Sequence, residues 1–444
     1  MSNNIYGSID INNKIYSFAL EGHILRIVQN SSFLIDDFSM LDRIDAIYGI
    51  TSDNRDILFI NCTFHKNQFN CCDTITIEGY AISTTNGMSY DFSVNKISFY
   101  SDAINMFYPP RIAERLIERN SNSGCINLST CDFKDTELAF MYQDIKCYFN
   151  INQQVNLKPE TTNIIEFNSY FAFEFPQAIQ AKNMIEYTQY IYDFLRLINY
   201  SSNILFSKIV LYKKENNGHY DERAILHIFQ DAKEYENNMW NSVQIYDFDK
   251  KKISEIFNSA VTLRKYDKKL YLYFPKDKSE RYTTDPIRWL SKALIFEGLF
   301  SDTCQKFKSK SNPDFKRIKD SVLDYINHIS YSTSNEQKYI KKFYRHNDLY
   351  EGILSEKFNF IYKSNKGFLD KIIMSIEKEH GEIPNNISDV YMKYRNDMAH
   401  GNVRPVEHKE LIAYRIMEPL IYLMLLQKTG LSTNDKYKII NKLF

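Results

Sequence analysis

Near residue 280 the hydrophobic period of this chain changes from two to about three and a half, and no single layer of secondary structure accommodates both periods. Up to about residue 150, short apolar–polar alternations recur: IYGSIDI, KIYSFAL, ILRIVQ, DILFINCTF, TITIEGYAIS and KCYFNIN. They are rich in Ile, Phe, Tyr and Thr and are broken by Asn-Asn, Asp-Asn and Asn-Gly pairs, which predicts half-buried antiparallel strands. The exception is PPRIAERLIERN (109–120), where prolines ahead of alternating charge predict a short helix. The run NIIEFNSYFAFEFP (163–176) predicts a strand ended by Pro176. Met184, Tyr187, Ile191, Phe194, Leu195 and Ile198 then recur at spacings of three and four, which predicts an amphipathic helix. Two further strands are expected in ILFSKIVLYK and RAILHIFQ, so the middle third is mixed, and a division of residues 1–280 near 150–160 stays open.

After the charged segment KDKSERYTTDP (276–286) the alternation disappears. Thr284 or Asp285 can cap a helix whose first turn carries Pro286. Helices are expected over 286–307, 313–330, 335–345, 366–380, 386–400 and 406–428. The expected class is α+β. A β-rich region over 1–280, made of antiparallel strands plus a mixed α/β segment, precedes an all-α helical bundle over 281–444. The nearly all-apolar stretch 411–427 reads as bundle core, or as an interface between two copies, in preference to a membrane span.

Charge separates along the same boundary. The whole chain carries 55 basic and 55 acidic residues and a formal net charge of zero, so no global field points to a polyanion. Residues 281–444 hold 27 Lys+Arg against 20 Asp+Glu, roughly +7, which leaves residues 1–280 at roughly −7. Lys306, Lys308, Lys310, Lys316, Arg317, Lys319, Lys338, Lys341, Lys342 and Arg345 crowd into one stretch, a candidate RNA-binding surface that taken alone reads first as a solvated face. An acidic region tethered to a basic one is expected to shield such a surface at rest.

Other classes lack their signatures. There is no phosphate-binding loop, dinucleotide fingerprint, zincin helix or nucleophile elbow, and no cofactor is expected. Cys62, His65, Cys71 and Cys72 lack a usual zinc spacing, so no metal is expected either. The seven cysteines are odd in number and scattered, which reads as reduced thiols. The first residues carry no basic start followed by an apolar run, so a cytoplasmic location without membrane attachment is expected.

The remaining signal is YRNDMAHG (394–401). Ile387, Val390, Tyr391, Tyr394 and Met398 form one stripe that should face the core, and Gly401 supplies the left-handed position that ends a helix. At about 100° per residue, Asn396 and His400 lie one turn apart on the opposite face, while Arg395 and His400 are about 140° apart. Arg395 must therefore curl toward His400 or meet it from a second chain. Metal-independent RNA cleavage needs a proton-transfer group and a fixed cation for the phosphorane charge; histidine and arginine suit these roles, and Asn396 suits orientation. Read without further context, the same residues are a helix-terminal histidine and a surface arginine.

Arg-Asn, His-Gly and their placement in the penultimate helical segment of a basic bundle resemble the R-x(4–6)-H motif of the HEPN superfamily. A β-rich region, then WLSKALIFEGLF (289–300), then YRNDMAHG is similar more narrowly to ApeA-like HEPN proteins. The resemblance implies an HEPN-like bundle over 281–444 and a dimeric endoribonuclease of bacterial anti-phage abortive-infection defence. It also implies Arg395 and His400 as catalytic residues and a phage-derived trigger acting on the β-rich region. Glu297, placed on a stripe with Leu290, Ala293 and Leu294, is expected to be buried and to meet a cation such as Arg395, as a catalytic or structural carboxylate. The alternative reading is a non-catalytic HEPN module that binds a partner protein or nucleotide.

Overall fold

The computed structural model describes residues 4–28, 42–66, 72–86, 91–110, 118–119, 126–127, 137–155, 165–230, 242–266, 274–276, 278–281, 283–304, 354–402 and 404–444, with scattered positions between 307 and 338. Strands fill the N-terminal half and helices dominate the C-terminal half, an α+β chain with a β-rich N-terminus. It divides into two compact units, Met1–Lys276 and Asp277–Phe444.

In the first unit β1 (Ile5–Ile11), β2 (Lys14–Glu21), β3 (Ile24–Val28), β4 (Arg43–Thr51), β5 (Arg55–Lys66) and β6 (Cys72–Thr76) close on themselves in the order β5-β4-β1-β2-β3-β6-β5. Every neighbouring pair is antiparallel. The first hairpin turns at Asn12 and Asn13, whose φ values of 54° and 62° are those of the two-residue turn that matches strand twist. Alternation puts Ile9, Phe18, Leu25, Ile47, Phe59 and Ile75 into one buried cluster that fills the ring.

Strand β5 leaves the barrel because its first half also pairs with β7 (Gly79–Asn86). The ladder continues antiparallel through β15 (Tyr220–Ile228), β14 (Lys208–Lys214), β8 (Ser93–Tyr100), β13 (Ile165–Gln180), β12 (Ile145–Val155) and β11 (Leu138–Tyr142). Helices α1 (Asp102–Phe107), α2 (Met184–Asn199) and α3 (Lys250–Tyr266) add a second core with this sheet. Phe99, Phe149, Phe171, Phe173, Phe194 and Phe257 meet there at centroid separations of 4.9 to 6.4 Å. Helix α2 buries the expected Met184, Ile191, Phe194, Leu195 and Ile198, with Tyr187 half-buried.

Three local expectations change. Pro176 does not end its strand: β13 runs on to Gln180 through a register shift between Glu174 and Ile179, where the ladder tolerates a missing N–H. Within 109–120, Glu118–Arg119 form a two-residue strand, β9, paired with β10 (Ile126–Asn127), instead of a helical end; residues 111–117 lie outside the described residues. Helix α3 occupies a stretch with no strand or helix expectation.

The second unit begins with α4 (Lys278–Arg281) and α5 (Pro286–Thr303). Asp285 caps α5, its carboxylate accepting from the Arg288 N–H at 2.9 Å, with Pro286 at the first position. Helices α6 (Leu354–Ser364), α7 (Lys366–His380), α8 (Ile387–Ala399), α9 (His408–Gln427) and α10 (Thr433–Leu443) follow. Helix α9 is buried on almost every side, so its apolar sequence is core. No described helix is long and apolar enough to cross a membrane. Trp289 of α5 is the hub, with its ring stacked on Tyr391 at 5.0 Å and on Tyr414 at 4.7 Å. Helices α6 and α10 were not expected, and α10 makes α8 the third helix from the C-terminus.

Candidate functional site

Helix α8 places the YRNDMAHG residues at its C-terminal turn. Ile387, Val390, Tyr391, Tyr394 and Met398 are buried, as their stripe requires. Asn396 and His400 are exposed and Arg395 is half-buried. The end is fixed by backbone hydrogen bonds: Gly401 N–H to Met398 O at 3.0 Å and Asn402 N–H to Asp397 O at 2.8 Å, with Gly401 at φ 79°. These two bonds close the last turn around His400, the helix-capping residue.

Arg395 curls around its helix. Its Nη1 donates to Asn396 Oδ1 at 3.1 Å, which draws the guanidinium toward the face that carries Asn396 and His400. Its Nε is buried and has no hydrogen-bond acceptor among the described residues. A half-buried guanidinium whose Nε has spare capacity, bonded to an exposed amide one turn before an exposed imidazole, is an arrangement that can take an anionic group.

Arg404, which no sequence motif marks, ties down the chain leaving this turn. Its guanidinium bridges Asp397 of α8 at 3.3 Å and the buried carboxylate of Glu410 on α9, and lies 4.9 Å from the Tyr394 ring. The Tyr394 hydroxyl donates to the Arg404 carbonyl at 3.0 Å. Hydrogen bonding to Glu410 holds the Arg404 pKa above the ordinary arginine value. No periodic pattern marks such a clamp, because its members come from two helices and the loop between them.

Glu297 is half-buried, not buried, and makes no ion pair with Arg395 among the described residues. The buried row of α5 is turned from the expected stripe: Leu294 is 63% exposed, and the row is Trp289, Lys292, Ala293, Phe296, Leu299 and Phe300. Lys292 hides that row in the sequence, since a lysine reads as surface. In the fold its ammonium is paired with the buried Glu418 of α9 and sits 3.6 Å from the Tyr414 ring centroid.

Arg317 is exposed and helical, as is Lys338. Lys306, Lys308, Lys310, Lys316, Lys319, Lys341, Lys342 and Arg345 lie outside the described residues. Among the described residues no group of three or more potential ligands stands ready for a metal, Cys62 is packed inside the barrel, and His65 is exposed and bonded to Thr76. Comparisons with protein-family models, with curated proteins and with solved structures find no match to this chain.

Proposed function

We propose that this chain is a metal-independent endoribonuclease of the HEPN type, a cytoplasmic, toxic effector of anti-phage abortive infection, with its chemistry at Arg395, Asn396 and His400. The observation that carries the proposal is the bond from Arg395 to Asn396, because it turns the guanidinium toward the histidine face that helical geometry alone keeps about 140° away. In this reading the imidazole of His400 takes the 2′-hydroxyl proton or gives one to the leaving 5′-oxygen. Arg395 stabilises the phosphorane charge, and Asn396 holds the arginine in place. The 2′-oxygen attacks phosphorus and the 5′-oxygen leaves, giving a 2′,3′-cyclic phosphate and a 5′-hydroxyl end. Two copies related by a twofold axis would bring both turns into one cleft, with the basic residues from 306 to 345 as candidate RNA contacts and a phage-derived trigger acting on the β-rich unit. Glu297 has no place in this chemistry.

The test is incubation of the purified full-length chain with total RNA in EDTA, followed by analysis of the ends. Cyclic-phosphate and 5′-hydroxyl products that vanish with His400→Ala support the proposal. RNA left intact in resting cells' extracts and in extracts of phage-infected cells alike would favour a binding module for a partner or nucleotide.

A further inference from the structure

The first unit contains a cavity of about 500 Å³, in the size range of small-molecule sites and lined by none of the residues of the Arg395 turn. One wall is a single face of α2: Ile185, Gln189, Tyr192 and Arg196 fall at spacings of four, three and four. Phe229, just beyond β15, also lines it, with His23 from the turn between β2 and β3 set edge-on to Phe229 at 5.7 Å. Phe229 is 38% exposed, a large aromatic left open at a cavity wall. Glu78, from the turn between β6 and β7, completes the lining.

The polar groups are sorted by charge. Arg196 lies 4.2 Å from the Tyr192 ring centroid and 4.0 Å from the buried carboxylate of Asp193. Asp193 also accepts two shorter hydrogen bonds from Arg264, at 3.1 and 3.2 Å. Asp193 thus faces two guanidinium groups, and Arg196 is the cation that lines the cavity. Elsewhere the lining offers acceptors. The Glu78 carboxylate faces the cavity while holding Arg43 at 3.3 Å and Asn61 at 2.6 Å. Gln189 commits its amide N–H to Asp193 at 3.2 Å, which leaves its carbonyl as the end available to a ligand. Ile77, Ile185 and Ile228 supply the apolar remainder.

We propose that this cavity binds a small aromatic anion carrying N–H donors, the chemistry shared by nucleoside monophosphates and aromatic amino acids. The anionic group pairs with Arg196, the planar body lies against Phe229 and His23, and the N–H groups reach Glu78 and Gln189. A plain aromatic carboxylate pairs with Arg196 but forgoes the hydrogen bonds to Glu78 and Gln189, so it binds more weakly. This site belongs to the β-rich unit and does not depend on the nuclease reading.

The experiment is calorimetric titration of the full-length chain with 5′-AMP, 5′-GMP, 5′-CMP and 5′-UMP, and separately with L-tryptophan, L-tyrosine and L-phenylalanine. Adenosine and tryptophanamide, which lack the anion, are the controls. Saturable one-to-one binding is expected in one arm, which identifies the source, with the uncharged control at least about tenfold weaker. Arg196→Gln and Phe229→Ala should each weaken it about tenfold or more, while His400→Ala leaves it unchanged. Arg196→Gln disturbs the Tyr192 contact, so Gln189→Leu, on the same wall, provides a second variant whose melting curve must match the parent. Absence of saturable binding by every probe up to about 1 mM overturns the proposal. So does binding that Phe229→Ala and Gln189→Leu both leave intact.

Discussion

The ammonium of Lys292 on α5 and the carboxylate of Glu418 on α9 form an ion pair inside the helical unit, where only 5% and 2% of the two residues is exposed. Burial pulls the Lys292 pKa down, against the Glu418 charge that raises it. Lys292→Met leaves a carboxylate buried without its cation and should cost about 3–5 kcal/mol, whereas Lys292→Met with Glu418→Leu should recover most of that loss. Urea unfolding of the three proteins decides the matter; equal losses in the single and double variants would mean that the pair is not coupled.

At the candidate site, His400→Ala and Arg395→Ala should each abolish RNA cleavage. His400→Ala should leave the melting temperature within about 2–4 °C, since an exposed side chain off the core stripe contributes little. Asn396→Ala should retain part of the activity, because a positioning hydrogen bond is worth only about 1 kcal/mol. Mixing His400→Ala with Arg395→Ala chains recovers activity only if the site is shared between two copies. Wild-type cleavage by either single variant would remove these residues from the chemistry.

Gly401 adopts φ 79°, a conformation that costs an L side chain about 1–2 kcal/mol, with open space around its Cα. Gly401→Ala should therefore lower stability by that amount, and cleavage should fall further because His400 is the neighbouring cap residue. Gly401→Asn should be milder on both counts. Parallel melting and cleavage assays separate the two effects, and an alanine variant that matches the parent in both would show that the turn does not position His400.

Burial raises the Asp193 carboxyl from 3.8 to about 6, although Arg264, Gln189 and Arg196 all oppose the rise. Between pH 3.8 and about 6 the folded chain holds a proton that the unfolded chain releases. The contribution of this group is most favourable to folding at the acid end of that window and is lost as pH rises through it, by about 3 kcal/mol in all. The stability of the parent relative to Asp193→Asn should thus fall from pH 4 to pH 6, as read from urea midpoints along that range. A difference that stays flat with pH would show that Asp193 does not titrate there.

Cys62 lies inside the barrel, and burial pushes its thiol up to about 12. A thiol-labelling reagent at about pH 8 should spare Cys62 in the native chain and modify it rapidly in denaturant, because the thiolate is the reactive form. Peptide mass spectrometry reads both states. Rapid native labelling would mean that the barrel opens on the timescale of the reagent.

The sequence by itself determined the element types wherever period and turn chemistry agreed. The Asn12-Asn13 hairpin, the stripe of α2, the Asp285-Pro286 start of α5, the core face of α8 and its end at Gly401 all follow from rules that act within one turn or one strand pair. Only the tertiary structure decided the rest. Closure of six strands into a barrel depends on β5 pairing with β6 as well as with β4, a long-range choice that no local alternation encodes. The rotation of α5 is not legible in its own segment, because Lys292 is core only by virtue of Glu418, 126 positions along the chain. The Arg404 clamp on Asp397 and Glu410, and the curl of Arg395 onto Asn396, are likewise invisible to periodicity. Local propensity is written residue by residue. A buried charge, a closed ring and a shared guanidinium exist only once distant partners have met, since each is stabilised by a group that its own segment does not contain.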